Sequence, residues 1–416
     1  MAHGFSSEQR SALAEKHRQA LAQSAGGTRR ERLRLTLLRL AGQRYRRRQP
    51  SADTLPRRIL VIRPDHLGDL LFATPALHAL RRRFPDASIT ALVGSWGVSV
   101  LSVNNDIDEL LTCPFPGFTR QAKGSPVAPY SLLRSEARRL AALHFDLAII
   151  LRFDHWWGAW LAAEARVPRR IGYDVPSTSP FLTTAVSYVP GRHEVAQNMD
   201  LVMAEYGSSG SITDAGEPGK LRFPVSPADE ETAGDLLRGK SADDRLLVAI
   251  HPGSGASVKR WRTEAWIALS RALIEQHGAQ VVFTGSAGEA ELIDPVVAAL
   301  QENDSLAGSV CSLAGLTDLG TLAAVYRRCA LVVGPDSGPL HLAVAVSTPT
   351  IHLYGPVDRR TFGPWGDPGR HVVLTSDWPC IPCNRLDWPD ETLAEHGCVR
   401  DVMVDDVIAA AARLLA

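Results

Sequence analysis

The chain has 416 residues, of which 45% are apolar and 22% charged, the proportions of a globular protein rather than a disordered or fibrous one. This length exceeds what one hydrophobic core usually organises, so we expect two domains, with one domain plus a tail as the alternative. No apolar stretch approaches the roughly 20 residues of a membrane span, and the N-terminus lacks a secretory-signal pattern. We therefore expect a cytoplasmic protein, whose six cysteines are thiols or metal ligands rather than disulfides.

The net charge of zero conceals a basic leader at residues 1–56. The leader holds 12 Lys and Arg against 4 Asp and Glu, whereas the rest of the chain holds 33 against 41. Such a leader can bind nucleic acid, anionic lipid or an acidic partner, although a run such as residues 29–32 also suits a solvent-exposed helix. No nucleic-acid-binding module accompanies it, so nucleic acid is not expected as a partner.

One face of the leader suggests contact with a membrane surface. An α-helix there would place four apolar residues on one side among arginines: Leu33, Leu37, Leu40 and Ala41. We expect residues 1–56 to form a basic helical extension that makes peripheral contact with the anionic inner face of the cytoplasmic membrane.

Short apolar runs alternate with helix-like stretches in two successive halves of the chain, residues 57–223 and 224–416. In the first half, strands of a parallel sheet and one amphipathic helix are predicted at 58–63, 88–94, 146–152 and 132–143. In the second half, strands are predicted at 246–251, 280–285, 330–334 and 348–354, and helices at 264–277, 287–300 and 404–415. Two doubly wound halves joined by a polar linker, residues 207–229, favour a ligand site at the carboxyl ends of the strands.

Residues 234–241 (GDLLRGKS) match the phosphate-loop pattern of nucleotide triphosphatases letter for letter. A working phosphate loop follows a buried strand and opens a helix, whereas this segment follows an acidic, helix-like stretch. We therefore interpret Gly239 as the end of that helix, with Lys240 and Ser241 in solvent. The Gly-rich dinucleotide fingerprint, the serine-hydrolase elbow and the zinc-protease helix motif are missing where they would be expected.

Three cysteines near the C-terminus form a second ambiguous motif. Cys380 and Cys383 have the spacing of a metal-ligand pair, but Cys398 and His396 follow at irregular spacing. Structural zinc takes four ligands at regular spacings, so free thiols are the favoured interpretation and a metal site is the alternative.

Asp69 lies where a predicted strand turns into a helix, in the stretch IRPDHLGDLLFATPAL of residues 62–77. Aspartate at such a turn caps a helix by accepting a backbone N–H. A carboxylate at the end of a strand beside a ligand cleft is equally suited to act as a general base. Both interpretations stay open from the sequence.

Residues 251–261 (HPGSGASVKRW) follow another predicted strand. The small residues Gly253, Ser254 and Gly255 let the backbone approach a phosphate closely, and Lys259 supplies a positive charge. A surface loop with a solvated lysine would have the same pattern.

Residues 334–345 (GPDSGPLHLAVA) predict a strand that turns into a helix at Ser337, Gly338 and Pro339. The free N–H groups and the dipole at the start of that helix make an anion site, with His341 nearby. The alternative interpretation is that Asp336 simply caps the helix.

Together with the closing CxPC…HxC stretch, these three motifs resemble glycosyltransferase family 9, the ADP-heptose lipopolysaccharide heptosyltransferase family. The resemblance covers residues 57–416. It implies an α/β fold of the GT-B type, with two Rossmann-like doubly wound domains facing across a cleft. Residues 57–223 would bind the acceptor and residues 224–416 the nucleotide sugar, with the leader as a basic helical N-terminal extension.

The resemblance assigns donor binding to seven residues: Ser254, Lys259, Glu289, Asp336, Ser337, Gly338 and His341. Lys259 and Ser254 would contact the diphosphate, and Asp336 the donor sugar. The residues of the 337–341 turn would line the phosphates. Glu289 would hold the ribose, although the nearby Glu291 is a competitor.

The resemblance makes Asp69 the base that deprotonates the acceptor hydroxyl in an inverting single displacement. No DxD-type metal-binding pair lies where this scheme needs one, so no metal or other cofactor is expected, and backbone amides with Lys259 would neutralise the leaving diphosphate. The implied partners are a nucleotide-diphosphate sugar, with ADP-heptose first, and a glycan or glycolipid acceptor such as lipopolysaccharide core. The alternatives are a family 9 transferase with another sugar or acceptor, a catalytically silent nucleotide-sugar-binding protein and a membrane-surface scaffold.

Overall fold

A computed structural model of the chain describes residues 5–25, 29–45, 55–119, 125, 127–204, 219–238 and 245–416. The chain divides into two compact units, which are described separately. The first unit is Gly27–Arg222, and the second combines Met1–Gly26 with Phe223–Ala416. The unit boundary lies one residue before the expected boundary between residues 223 and 224.

The first unit is built on a six-stranded, fully parallel sheet in the order β3-β2-β1-β4-β5-β6. Its strands are β1 Arg58–Ile62, β2 Ser88–Val93, β3 Glu109–Thr112, β4 Leu147–Ile150, β5 Arg169–Tyr173 and β6 Thr184–Val186. Its helices are α2 Arg29–Gln43, α3 Leu67–Arg83, α4 Val98–Leu101, α5 Ala128–Ala141, α6 Trp156–Glu164 and α7 Glu194–Met203. The central strands β1 and β4 are almost entirely apolar and buried, as a parallel sheet covered on both faces requires.

The second unit repeats this architecture with a parallel sheet in the order β12-β11-β10-β7-β8-β9. Its strands are β7 Leu247–Ile250, β8 Gln280–Phe283, β9 Val310–Ser312, β10 Leu331–Pro335, β11 Thr350–Tyr354 and β12 His371–Thr375. Its helices are α1 Ser7–Ala25, α8 Pro227–Leu237, α9 Thr263–His277, α10 Ala290–Gln301, α11 Asp304–Ala307, α12 Leu319–Arg327, α13 Gly338–Ala345, α14 Arg359–Phe362 and α15 Val404–Leu415. Each strand predicted from an apolar run is present within two residues of its expected ends.

Local sequence explains where several of these helices begin and end. α8 begins with a capping box in which the Ser226 hydroxyl accepts from the Asp229 N–H and the Asp229 carboxylate accepts from the Ser226 N–H. α9 is terminated by the following residue, Gly278, whose φ of 61° places it in the left-handed region that glycine tolerates.

The phosphate-loop pattern begins inside a helix. Gly234 lies within α8, which ends at Leu237 and is followed by Arg238 in extended conformation. The predicted helix-ending role of Gly239 and the solvated positions of Lys240 and Ser241 lie outside the described residues. A glycine inside a helix cannot open a phosphate-binding turn, so the geometry gives no support to a triphosphatase.

The two helices of the basic leader pack on different units. α1 packs on the second unit, where Ala14 and His17 are buried and the rings of His17 and His396 stack with centroids 4.1 Å apart. α2 packs on the first unit through Leu38, which is 3% exposed. We expected residues 1–56 to form one extension, and the described part of the leader is instead divided between the units.

The outward face of α2 carries the predicted apolar stripe. Leu33, Leu37 and Leu40 are 61%, 57% and 57% exposed, whereas Ala41 packs against the core of the first unit. Three of the four predicted residues therefore face solvent together. In the part of the chain that the structure describes, no helix is long and apolar enough to cross a bilayer.

Candidate functional site

Asp69 is the third residue of α3 and lies in the first turn of that helix, which follows β1 in the chain. The residue at the N-cap position is His66, whose side chain makes no capping hydrogen bond. Among the described residues, the only close partner of the Asp69 carboxylate is Arg63, at 3.5 Å. The geometry therefore does not support the capping interpretation.

A buried arginine organises the carboxylates around Asp69. Arg63, at the end of β1, is 3% exposed. Its Nε lies 2.8 Å from Asp65 Oδ2 and its Nη1 lies 2.7 Å from Glu194 Oε1, while its Nη2 lies 3.5 Å from Asp69 Oδ1. Nη1 also donates to Asn198 Oδ1 at 3.2 Å. One guanidinium thus contacts three carboxylates, and its contact with Asp69 is the longest.

Burial, followed by the negative charges of Asp65 and Glu194, raises the pKa of Asp69 to about 7, because together they outweigh the positive charges of Arg63 and Arg152. The Asp69 side chain keeps 30% of its surface exposed and can therefore be reached from solvent. Asp65 behaves in the opposite way: burial disfavours its charge, but Arg63 and Arg152 outweigh burial and lower its pKa. An accessible carboxyl group with a pKa near 7 is suited to accept a proton at neutral pH.

The sequence pointed to Asp69 but missed the charged residues that surround it: Arg63, Asp65, Arg152 and Glu194. Arg63 directly follows β1, and Arg152 follows the neighbouring strand β4 after one further residue, Leu151. A charged residue at the carboxyl end of a buried strand was the available signal. Glu194 opens a helix far along the chain and gave no such signal.

In the second unit, Lys259 and Asp336 form a buried ion pair. Lys259 Nζ donates to Asp336 Oδ2 at 3.1 Å, and the two side chains are 12% and 9% exposed. His341 Nε2 lies 3.6 Å from the other carboxylate oxygen of Asp336. Burial disfavours the charge of Asp336, but Lys259 and then His341 outweigh burial and hold its pKa well below the usual range. The solvated-lysine interpretation of residues 251–261 is therefore wrong.

The turn from β10 into α13 has the features of an anion site. Ser337, not Asp336, occupies the N-cap position of α13, with Gly338 as the first helical residue and Pro339 in the first turn. Ser337 is 8% exposed, and its hydroxyl has no hydrogen-bond partner among the described residues. A buried hydroxyl beside free helix N–H groups is positioned to donate a hydrogen bond to an anion.

Glu289 lies against the loop after β7. A Cβ atom at Gly253 would come within 1.9 Å of Glu289 Oε1, so any larger residue there would displace the Glu289 carboxylate from this position. Glu289 Oε2 accepts from the N–H and the hydroxyl of Ser286, at 2.7 and 2.9 Å. Ser254 instead closes its own turn by donating to the carbonyl of Ala256 at 2.7 Å. The competitor Glu291 is exposed on the first turn of α10.

The C-terminal cysteines lie around a narrow cavity in the second unit. Cys380, Cys383 and Cys398 line it with His17 of α1 and with His396. All six cysteines of the chain are free, and burial raises the pKa of the Cys398 thiol to about 12. Among the described residues, no group of three or more His, Cys, Asp or Glu side chains is arranged to hold a metal ion.

Comparison of the sequence with known proteins identifies a matching family and several relatives. Residues 133–389, more than half of the chain, match glycosyltransferase family 9 (heptosyltransferase). The lipopolysaccharide heptosyltransferase 3 of Escherichia coli K12 is 28% identical over 306 residues, which cover 72% of this chain and 82% of that protein. The lipooligosaccharide heptosyltransferase 2 of Campylobacter jejuni is 23% identical over 359 residues, which cover 86% of this chain and 98% of that protein.

Solved structures share the fold over most of the chain. The crystal structure of the glycosyl transferase family 9 protein from Veillonella parvula superimposes with a TM-score of 0.68 at 26% identity, covering 86% of this chain and 97% of that one. The Escherichia coli ADP-heptose lps heptosyltransferase II superimposes with a TM-score of 0.67 at 22% identity, covering 86% and 98%. The predicted α/β fold of the GT-B type is confirmed. The chain belongs to glycosyltransferase family 9, the heptosyltransferase family, and is a glycosyltransferase.

Proposed function

We propose that the protein transfers a sugar, with heptose from ADP-heptose as the first candidate, to a glycan or glycolipid acceptor of the lipopolysaccharide-core type. The observation that carries this proposal is Asp69, an accessible carboxyl group whose pKa is raised to about 7 beside Arg63. A general base works best when its pKa lies close to the operating pH. A protein that only binds a nucleotide sugar has no use for such a group.

The proposed reaction is a single displacement with inversion. The acceptor oxygen forms a bond to the anomeric carbon of the donor sugar while the bond from that carbon to the diphosphate oxygen breaks. Asp69 takes the acceptor hydroxyl proton, and the nucleotide diphosphate leaves with the bonding electrons. Partial charge develops on both oxygens, so preorganised donors at the diphosphate contribute most to the rate.

The second unit supplies candidates for those donors. The N–H groups at the start of α13 and the unpartnered hydroxyl of Ser337 would bind the diphosphate, and Lys259 would contribute positive charge. Asp336 would contact the donor sugar and Glu289 the ribose, while the Ser254 hydroxyl, which closes its own turn, would contribute chiefly by shaping the loop. Charge neutralisation by these groups supports a reaction without a metal ion.

The donor base and sugar are proposed by analogy with the relatives. The Escherichia coli structure is described as an ADP-heptose lps heptosyltransferase, and an adenosine diphosphate donor is the natural first candidate for this chain. For the acceptor, the exposed Leu33, Leu37 and Leu40 among the arginines of α2 support peripheral binding at an anionic membrane surface, where glycolipid acceptors are found.

Two measurements test the proposed function. Thermal shifts with ADP, UDP, GDP and ADP-heptose identify the donor, since a ligand at 100 times its dissociation constant stabilises the protein by about 2.7 kcal/mol. Release of ADP from ADP-heptose is then followed with heptose-deficient lipopolysaccharide as acceptor. Acceptor-dependent release supports transfer. Stabilisation by ADP-heptose without any release would instead identify a silent nucleotide-sugar-binding protein.

A further inference from the structure

A cavity of about 440 Å³ lies between α2 and the carboxyl end of β4, wholly within the first unit. α2 contributes Arg34 and Leu35 to its lining, and the segment after β4 contributes Arg152, His155 and Trp156. This volume is within the range of small-molecule sites, roughly 300 to 1,000 Å³. α2 lies outside residues 133–389, so the family match does not account for the part of the lining that α2 supplies.

Aromatic rings form one wall of this cavity, which we call the α2 pocket. Trp156 is half-buried, and the guanidinium of Arg34 lies 4.6 Å from its ring centroid. Phe118 stands edge-on to His155, with centroids 5.7 Å apart, and the Arg152 guanidinium lies 5.2 Å from the Phe118 ring. The C–H face of a pyranose ring is apolar, and the part of the Trp156 indole that Arg34 leaves uncovered, together with Phe118, offers it an apolar surface to pack against.

A buried histidine in the α2 pocket has unmet hydrogen-bonding capacity. His155 is 4% exposed, and neither ring nitrogen has a hydrogen-bond partner among the described residues. Burial lowers the pKa of His155 to about 4, so the ring is neutral at pH 7, with one nitrogen donating and the other accepting. Leaving a buried polar group unpaired is unfavourable, and a sugar hydroxyl can pair with either nitrogen.

The α2 pocket also has positive charge at its rim. Arg32 and Arg34 are exposed and line the pocket, beside one carboxylate from the same helix, Glu31. Arg152, by contrast, is paired with Asp65 and with Asp154, the latter at 2.6 Å. α2 therefore brings two positive charges and one negative charge to the pocket, and the net positive charge available to a ligand comes from this helix.

The α2 pocket is connected to the proposed base. Arg152 lines the pocket and donates to Asp65, and Asp65 shares Arg63 with Asp69. A sugar in the pocket would therefore lie at the same edge of the sheet as the group that receives its proton. This connection favours the acceptor, rather than an unrelated metabolite, as the occupant.

We propose that the α2 pocket binds a sugar ring of the acceptor, and that α2 is an acceptor-recognition element. The sugar ring packs against the uncovered part of Trp156, a hydroxyl pairs with His155, and an anionic substituent, either carboxylate or phosphate, pairs with Arg34. The proposal rests on the proposed function, because it identifies the ligand as the acceptor. It adds the ligand class, a ring with a negative charge, and the residues that select it.

The test measures binding to the protein alone, without donor or transfer. Saturation-transfer NMR compares glucuronate, glucose 6-phosphate and neutral glucose as probes. We expect the anionic sugars to bind at least about tenfold more tightly than glucose, and Arg34→Gln and Trp156→Leu each to weaken them by about tenfold, as loss of a charge-assisted bond or a stacking surface predicts. Arg39→Gln is the matched control, since Arg39 is exposed on the same helix but does not line the pocket.

Glucuronate carries a carboxylate and glucose 6-phosphate carries a phosphate. Tighter binding of one of them therefore identifies which of the two groups the pocket recognises on the acceptor. Equal weakening by Arg34→Gln and Arg39→Gln would overturn the proposal, as would glucose binding as tightly as the anionic sugars or no binding of any probe. Arg34 is exposed, so its variant is expected to fold even if Trp156→Leu does not. If the binding results hold but no transfer is found with any donor, the proposed function fails while the sugar site stands.

Discussion

Arg63 Nη2 lies 3.5 Å from Asp69 Oδ1, the longest of the three contacts that this arginine makes with carboxylates. Asp65 and Glu194 hold Arg63 more closely, at 2.8 and 2.7 Å. The positive charge of Arg63, which acts to lower the pKa of Asp69, is therefore largely balanced by Asp65 and Glu194. The basicity of Asp69 depends on these competing carboxylates.

Glu194→Gln is expected to weaken Asp69 as a base. Removing the Glu194 charge removes one cause of the raised pKa of Asp69 and leaves Arg63 freer to pair with it, so that pKa falls. The acidic limb of the pH–rate profile should move to lower pH and the plateau rate should fall. Glu164→Gln is the control, because Glu164 pairs with Arg44 instead. An acidic limb that stays in place would contradict the role given to Glu194.

Lys259→Met is expected to reduce both stability and nucleotide binding. The substitution leaves Asp336 buried with its charge uncompensated, which typically costs about 3 to 5 kcal/mol of unfolding free energy. The double variant Lys259→Met/Asp336→Asn removes that charge and should recover most of the stability. ADP affinity should stay low in both variants. Urea unfolding and calorimetric titration with ADP separate the two effects, and full ADP affinity in the double variant would remove Lys259 from the donor site.

Ser337→Ala is expected to weaken ADP binding without loss of stability. The Ser337 hydroxyl is buried and unpartnered among the described residues, so removing it breaks no internal hydrogen bond. ADP affinity should fall by up to about tenfold. Ser270→Ala is a matched control, because the Ser270 hydroxyl is buried but donates to the Trp266 carbonyl at 2.8 Å. That variant should lose stability and keep ADP affinity, and the reverse pattern would refute a phosphate contact at Ser337.

Leu37→Glu is expected to reduce binding to vesicles that contain anionic lipid. Leu37 is 57% exposed in the middle of the apolar stripe of α2, and a glutamate there loses apolar burial and is repelled by the lipid charge. Val189→Glu, at a residue 51% exposed in the same unit, is the control. Deleting the whole leader is a poor test, because α1 is part of the second unit. Equal sedimentation of the parent and both variants would show that α2 is not the membrane contact.

The sequence was sufficient to predict the two parallel sheets. Runs such as 58–63 and 246–251 have an uninterrupted apolar core, which is the pattern of strands buried on both faces, and the structure has β1 and β7 there. The same logic located Asp69 and the turn into α13, because each lies where the chain passes from such a strand into the next helix.

The surroundings of these residues could not be predicted, because they depend on contacts between distant parts of the chain. Arg63 and Glu194 are 131 residues apart in sequence, and Lys259 and Asp336 are 77 apart. The pattern around Lys259 is that of a solvated loop, and only the fold brings Asp336 close enough to bury both. The division of the leader between the units is also a tertiary property that composition does not encode.

The raised pKa of Asp69 has a consequence for stability. Its folded pKa of about 7 exceeds the ordinary value of 3.8, so the folded protein holds a proton that the unfolded chain releases between about pH 4 and pH 7. Stability associated with Asp69 is therefore present at low pH and is lost as the pH rises through this window. Asp69→Asn does not titrate, so its melting temperature relative to the parent should increase from pH 4 to pH 7. A constant difference across this window would argue against the raised pKa.

The turnover of Asp69→Asn tests the central claim most directly. The amide preserves the size of the side chain but cannot accept the acceptor proton, so the rate should fall by roughly 100-fold to 10,000-fold. Donor affinity and the folded structure should stay close to those of the parent, and the acidic limb of the pH–rate profile near pH 7 should disappear. Retained turnover with an unchanged pH profile would contradict the account and remove Asp69 from the mechanism.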